Sequence, residues 1–143
     1  MSEFHSEGHI SKIDDDKRQV FGFAYVTHDR EGNLSIDKSG DFIAEVEELE
    51  KSAYSFVLNS RKGGVDHKRN DDGSEPKVIS KMIESMVFTP EKVKLLGLPE
   101  GSIQSGWWIG MQIDDDETWG RVKKGELTSF SIHGKGIRKR VAE

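Results

Sequence analysis

The sequence predicts an α+β fold, a mainly antiparallel β-sheet or barrel with two or three flanking helices, and three observations predict it. Segments 18–26, 77–88, 107–113 and 127–137 are rich in aromatic and β-branched residues or alternate in the manner of strands. Residues 44–58, 91–96 and 117–124 carry helical spacing or cap signatures. Strands and helices do not follow one another in the regular βαβ order that builds a parallel sheet.

Element by element, the argument is local. In 18–26 (RQVFGFAYV), Gly22 permits a bulge or a close backbone approach. The turn formers of 27–33 (THDREGN) lead to a short Leu34-Ser35-Ile36 segment, a hairpin or broad loop, and then to the turn 37–41 (DKSGD). Val46, Leu49, Ala53, Phe56 and Val57 recur at helical spacing among glutamates, the clearest helix of the chain. Gly63-Gly64 introduces a short strand over 65–68, before the polar turn 70–76 (NDDGSEP). The pattern of 77–88 reads as a strand, with a helix as the alternative. Thr89, Pro90 and Glu91 read as an N-cap, a proline at the first helical position and an acidic first turn, and Gly97 as the stop. Residues 107–113 (WWIGMQI) form an apolar strand, 114–117 (DDDE) opens a helix that Gly125 closes, and a final strand covers 127–137.

With 143 residues, the chain accommodates one core: a domain over 18–143 behind a flexible lead-in over 1–17. Hydrophobic and charged residues are nearly balanced, at 34% and 33%, so a small, highly charged fold is expected. Cysteine is absent, which excludes disulfides, thiolate zinc sites and a cysteine nucleophile and leaves oxygen and imidazole chemistry. The net charge of -5 opposes nonspecific nucleic-acid binding as a main role. No apolar run is long enough to span a bilayer, and the opening MSEFHSEGHIS lacks a signal-peptide core, so a cytoplasmic protein without membrane contact is expected.

The last strand holds the most informative chemistry. Its alternation puts Ser129, Ser131 and His133 on one face, against Phe130 and Ile132 on the other. A serine hydroxyl becomes a nucleophile only beside a base. Of the five histidines, His5 and His9 lie in the expected lead-in, where Glu3 and Glu7 accompany them, and His28 lies in a turn. His67 is set within a strand framed by glycines.

The stretch Asp116-Glu117-Thr118-Trp119-Gly120-Arg121-Val122-Lys123-Lys124-Gly125-Glu126-Leu127-Thr128-Ser129-Phe130-Ser131-Ile132 resembles the D-x-x-W-x-x-V-K-x-G-E-L-x-G-F-S-I signature of the XkdF-type phage prohead serine proteases. Upstream, VFGFAY at 20–25, Gly40-Asp41 before a helix, Asp66-His67-Lys68, Ile83-Glu84-Ser85 and Trp107 fit the same pattern in order, so that the resemblance runs from about 18 to 137. It implies a relative of the herpesvirus assemblins, a β-barrel with surrounding helices that cuts scaffold and capsid proteins in an immature shell. By position, Ser131 takes the place of the nucleophile and His67 that of the general base. Ser129 stands where the pattern has glycine and adds a second candidate hydroxyl. His133, Glu84 and Asp66 are alternative third members. Gly134 and Gly136 are candidates for an oxyanion-binding loop.

The implied activity is endopeptidase cleavage of phage scaffold and major capsid proteins, and of the chain itself, by Ser/His acyl transfer. The competing reading is a catalytically inactive protease-fold module that binds scaffold during capsid assembly. No cofactor or metal is expected. Asp29, Glu31 and Asn33 have the spacing of a calcium loop, but Leu34 and Gly40 occupy the places of its glycine and its glutamate. Asp114-Asp115-Asp116 is better explained as a helix cap than as a metal site. Lys135, Arg138, Lys139 and Arg140 form a basic tail, a solvated strand end in the simplest reading and a contact for an acidic scaffold segment or packaged nucleic acid in the sharper one. Trp107 and Trp108 should face opposite ways, one into the core and the other toward a groove or an assembly contact. A homodimer is in keeping with the assemblin resemblance.

Overall fold

The computed structural model describes residues 2–14, 17–60, 62–63, 80–126 and 129–136, with side chains over 10–14, 17–60 and 80–126. The fold is α+β. Strands β1 (Ser2–Asp14), β2 (Gln19–His28), β3 (Lys62–Gly63), β4 (Ser80–Phe88), β5 (Ser105–Ile113) and β6 (Ser129–Gly136) form one six-stranded sheet in the order β3-β4-β5-β2-β1-β6. Every pairing in it is antiparallel. Helices α1 (Val46–Asn59), α2 (Pro90–Leu95) and α3 (Asp116–Lys123) complete the architecture. Among the described residues no pairing joins the edge strands β3 and β6, so the sheet is open there. No helix among them is long and apolar enough to cross a membrane.

The core lies between one sheet face and two helices. Val20 and Ala24 of β2, Val87 of β4 and Trp107, Ile109, Met111 and Ile113 of β5 meet Val46, Leu49 and Ala53 of α1 and Trp119 and Val122 of α3. The α1 residues recur at three- and four-residue intervals, which is why a helix so rich in glutamate still offers a buried stripe. Phe56 on the same helix meets the Trp107 ring edge-on at 5.6 Å between centroids. Across the opposite face, Phe23 stands against Trp108 at 5.4 Å and Phe88 at 6.1 Å. Phe21 lies over Gly110, where a Cβ would come within 2.7 Å of its ring.

Local chemistry sets the ends of α2 and α3. Thr89 accepts a bond from the Lys92 backbone N–H at 3.1 Å, with Pro90 opening α2 and Gly97 beyond its end at φ +74°. Asp115 caps α3, accepting from the Thr118 backbone N–H at 3.0 Å and from the Thr118 hydroxyl at 2.6 Å, and Gly125 follows at φ +75°. Lys92 then ties α2 to its neighbours. Its ammonium donates to Glu50 at 2.7 Å, to the Tyr54 hydroxyl at 3.0 Å and to the Val87 carbonyl at 3.0 Å.

One local outcome differs from the sequence expectations and two agree with them. The segment read as a flexible lead-in carries β1, which pairs with β2 on one side and β6 on the other. Beside Gly22, as expected of that glycine, the ladder is irregular: β1 shifts between Ile10 and Lys12 opposite Gly22 and Phe21, and β2 shifts against β5 between Phe23 and Tyr25 and again between Val26 and His28. The hairpin or broad loop expected over 27–36 is present, closed by the antiparallel bridge between His28 and Leu34 and by the Ser35 N–H on the Thr27 carbonyl. The strand expected over 65–68 lies outside the described residues.

Candidate active site

Ser131 sits in the middle of β6, the edge strand beyond β1. Within the described residues, the Asp116–Ile132 motif includes the capped helix α3, the Gly125 stop and the first residues of β6. The register of the β1–β6 ladder places Ser131 opposite Glu7, Ser129 opposite His9 and His133 opposite His5. Strand alternation keeps Ser129, Ser131 and His133 at positions of one face, as the sequence pattern requires.

The other expected site residues are distributed unevenly. His67 and Asp66 lie outside the described residues. His133 is two positions from Ser131 on the same strand. Glu84, by contrast, is on β4, and β5, β2 and β1 stand between that strand and β6 in the sheet. Its carboxylate accepts a long bond from the Trp108 indole N–H at 3.4 Å, and it is exposed. His133 thus shares β6 with Ser131, whereas three strands separate Glu84 from it in sheet order.

The β1–β6 ladder pairs the positions of His5, Glu7 and His9 with β6, although the sequence reading set the two histidines aside. The missed signal is period two: His5, Glu7 and His9 alternate with Phe4, Ser6 and Gly8, the pattern of a strand with one polar face.

Elsewhere the acidic clusters act as turns and caps. Asp29 accepts the backbone N–H groups of Glu31 at 3.0 Å and Asn33 at 2.9 Å, chiefly the latter holding its carboxyl below the ordinary value. Asp37 does the same for Ser39 and Asp41. Among the side chains described, no group of three or more histidine and acidic residues is placed to hold a metal.

Of the two tryptophans, Trp107 is the core residue, its indole N–H donating to the Ser85 hydroxyl at 2.8 Å. Trp108 lies half-buried on the other face, against Phe23.

Comparison with known proteins bears on this arrangement. The chain is 28% identical over 125 residues to "Uncharacterized protein YqbD" of Bacillus subtilis strain 168, covering 87% of this chain and 34% of that protein. It is 27% identical over 120 residues to "Phage-like element PBSX protein XkdF" of the same strain, covering 84% of this chain and 38% of that protein. The chain thus spans little more than a third of the length of these curated relatives. No solved structure matches it. The family described as "Putative phage serine protease XkdF" matches residues 8–140, a span that takes in β2 to β5, all three helices and the whole Ser131 motif. On that match, the chain belongs to the phage serine protease XkdF family.

Proposed function

We propose that the chain is a serine endopeptidase of phage head maturation, cleaving scaffold and major capsid proteins, and itself, with Ser131 as nucleophile and His67 as general base. The observation that carries this reading is the family match over 8–140, which includes both residues and the Asp116–Ile132 motif. The position of Ser131 on the strand that is outermost among the described residues also supports it, since an outer strand can pair with an extended peptide. In the proposed reaction, His67 removes the Ser131 proton as the oxygen attacks the scissile carbonyl. The resulting imidazolium protonates the leaving amine, and water, activated by the same base, releases the acyl group. His133, on the same strand as Ser131, is one of the candidate third members, with Glu84 and Asp66.

An assemblin-like barrel and a homodimer belong to the same proposal, as does action inside the bacterial host on the assembling head. The antiparallel sheet and three helices are compatible with that architecture.

The test is co-expression of the wild type, Ser131→Ala, Ser129→Ala and His67→Ala with the scaffold and capsid proteins encoded beside it, read by intact mass. Cleavage that survives in Ser129→Ala and disappears in Ser131→Ala and His67→Ala is the expected result. Scaffold that stays uncut with the wild type but copurifies with it would replace the protease reading by that of a non-catalytic assembly module, the reading that the Ser129 departure favours.

A further inference from the structure

Trp108 is the β5 tryptophan that the core does not use. It lies half-buried on the sheet face opposite α1 and α3, its ring edge-on to Phe23 at 5.4 Å, and Phe23 in turn meets Phe88 at 6.1 Å. Met86, opposite Trp108 in the β4–β5 ladder, completes an apolar row across β2, β5 and β4 whose members all keep partial exposure. Charge borders the row on two sides. On β1, opposite Phe21, the exposed Lys12 holds its ammonium 5.1 Å from the centre of the Phe21 ring. On β4, opposite Gly110, stands the exposed Glu84, which the Trp108 indole N–H reaches at 3.4 Å.

Ladder register relates this face to β6. Gly22 is opposite the core residue Ile109, and Ile10 is opposite Gly22, so Ile10 belongs to the core face, against which it packs. Alternation along β1 then assigns the position of Glu7 to the other face, that of Phe23 and Trp108, and the opposed position of Ser131 with it. Only β1 stands between β6 and β2. At about 4.8 Å per strand, the aromatic row begins about 10 Å from β6, the length of roughly three residues of extended chain. We propose that this face is a substrate subsite, taking a large apolar side chain about three residues from the scissile bond and preferring an acidic side chain beside it, at the Lys12 border. The proposal rests on the endopeptidase reading and names the substrate class of its site: extended segments that are both apolar and acidic. Partly exposed aromatic rings anchor an apolar side chain well. Lys12 supplies the charge complement, since no ion pair among the described residues engages it, and Glu84 disfavours an acid at the β4 border.

The probes are fluorescein-labelled decapeptides on a glycine–serine frame: the frame alone, the frame with one phenylalanine, and the frame with that phenylalanine and a nearby glutamate. Fluorescence polarisation with the full chain should show the phenylalanine peptide bound at least about tenfold more tightly than the frame, with a further gain from the glutamate. Trp108→Ala and Phe23→Ala should remove the phenylalanine gain. Trp108→Phe, which keeps an aromatic ring, guards against a folding defect: a retained gain supports the subsite, and a lost one counts against it. Lys12→Ala should remove the glutamate gain alone. Labelling by a fluorophosphonate, which reads the nucleophile without the subsite, should be equal in all these variants. A phenylalanine peptide bound no better than the frame, or bound equally by Trp108→Ala, would overturn the subsite. So would a dimer of the wild type that Trp108→Ala abolishes, because it gives the face to a second copy. Binding of the phenylalanine peptide by a wild type that no fluorophosphonate labels would instead overturn the endopeptidase reading.

Discussion

Trp107 and Trp108 are covalent neighbours with different fates, and the difference reaches the glycines beside them. Strand alternation sends Trp107 toward α1 and Trp108 toward Phe23, and Gly106 and Gly110 on the same strand leave room for close neighbours. A Cβ at Gly110 would press on the Phe21 ring, whereas one at Gly106 would meet the Tyr25 backbone, which has less freedom to move. Gly110→Ala should therefore cost about 1–3 kcal/mol and Gly106→Ala more, as measured by urea denaturation.

Glu50 and Lys92 make a prediction with a definite sign. Hydrogen bonds from Lys92 and then Tyr54 lower the Glu50 pKa below its ordinary 4.5. For Lys92, partial burial pulls the pKa down, but the bonds to Glu50 and Tyr54 outweigh it, and the net shift is upward from 10.5. A depressed carboxylate adds stability above its unfolded pKa and loses it as pH falls through the folded value; a raised ammonium adds stability below its unfolded pKa and loses it as pH rises through the folded one. Glu50→Gln should thus cost about 1 kcal/mol near neutrality. Thermal melts across pH should show that gap closing in acid, below about pH 4.5, and again in strong alkali.

At the scale of elements, the short helices were legible because their signals are local. Thr89-Pro90 and Asp115 satisfy backbone donors within three residues of themselves, and no tertiary information is needed to see it. Thr89→Ala and Asp115→Ala should each cost about 1 kcal/mol in chemical denaturation, Asp115→Ala also exposing the start of the helix that leads to Ser131. Strand β1 was illegible for the complementary reason. Its residues SEFHSEGHIS offer few of the β-branched and aromatic side chains that mark a strand, and its conformation comes from pairing with β2 and β6. Gly22 was a sounder guide, since the β1 register shifts directly opposite it, between Ile10 and Lys12.

On the scale of the whole molecule, the α+β class and the antiparallel sheet followed from element order, while strand neighbours did not. Pairing between residues 2–9 and 129–136 joins the two ends of the described chain, and nothing in either segment alone announces the other. The candidate nucleophile was legible through its motif; its ladder partners Glu7, His5 and His9 were not, since they depend on that long-range register. Removing residues 2–9 should accordingly lower the melting temperature and speed hydrogen exchange of the β6 amides. Unchanged protection there would mean that β6 does not depend on β1.

The central claim is that Ser131 on β6 is an activated nucleophile. Reaction of the purified chain with a fluorophosphonate, followed by peptide mapping in the wild type, Ser131→Ala and Ser129→Ala, tests it most directly. The account predicts a single adduct on Ser131, retained in Ser129→Ala and absent from Ser131→Ala. An adduct on Ser129, or none on the folded wild type, would contradict it.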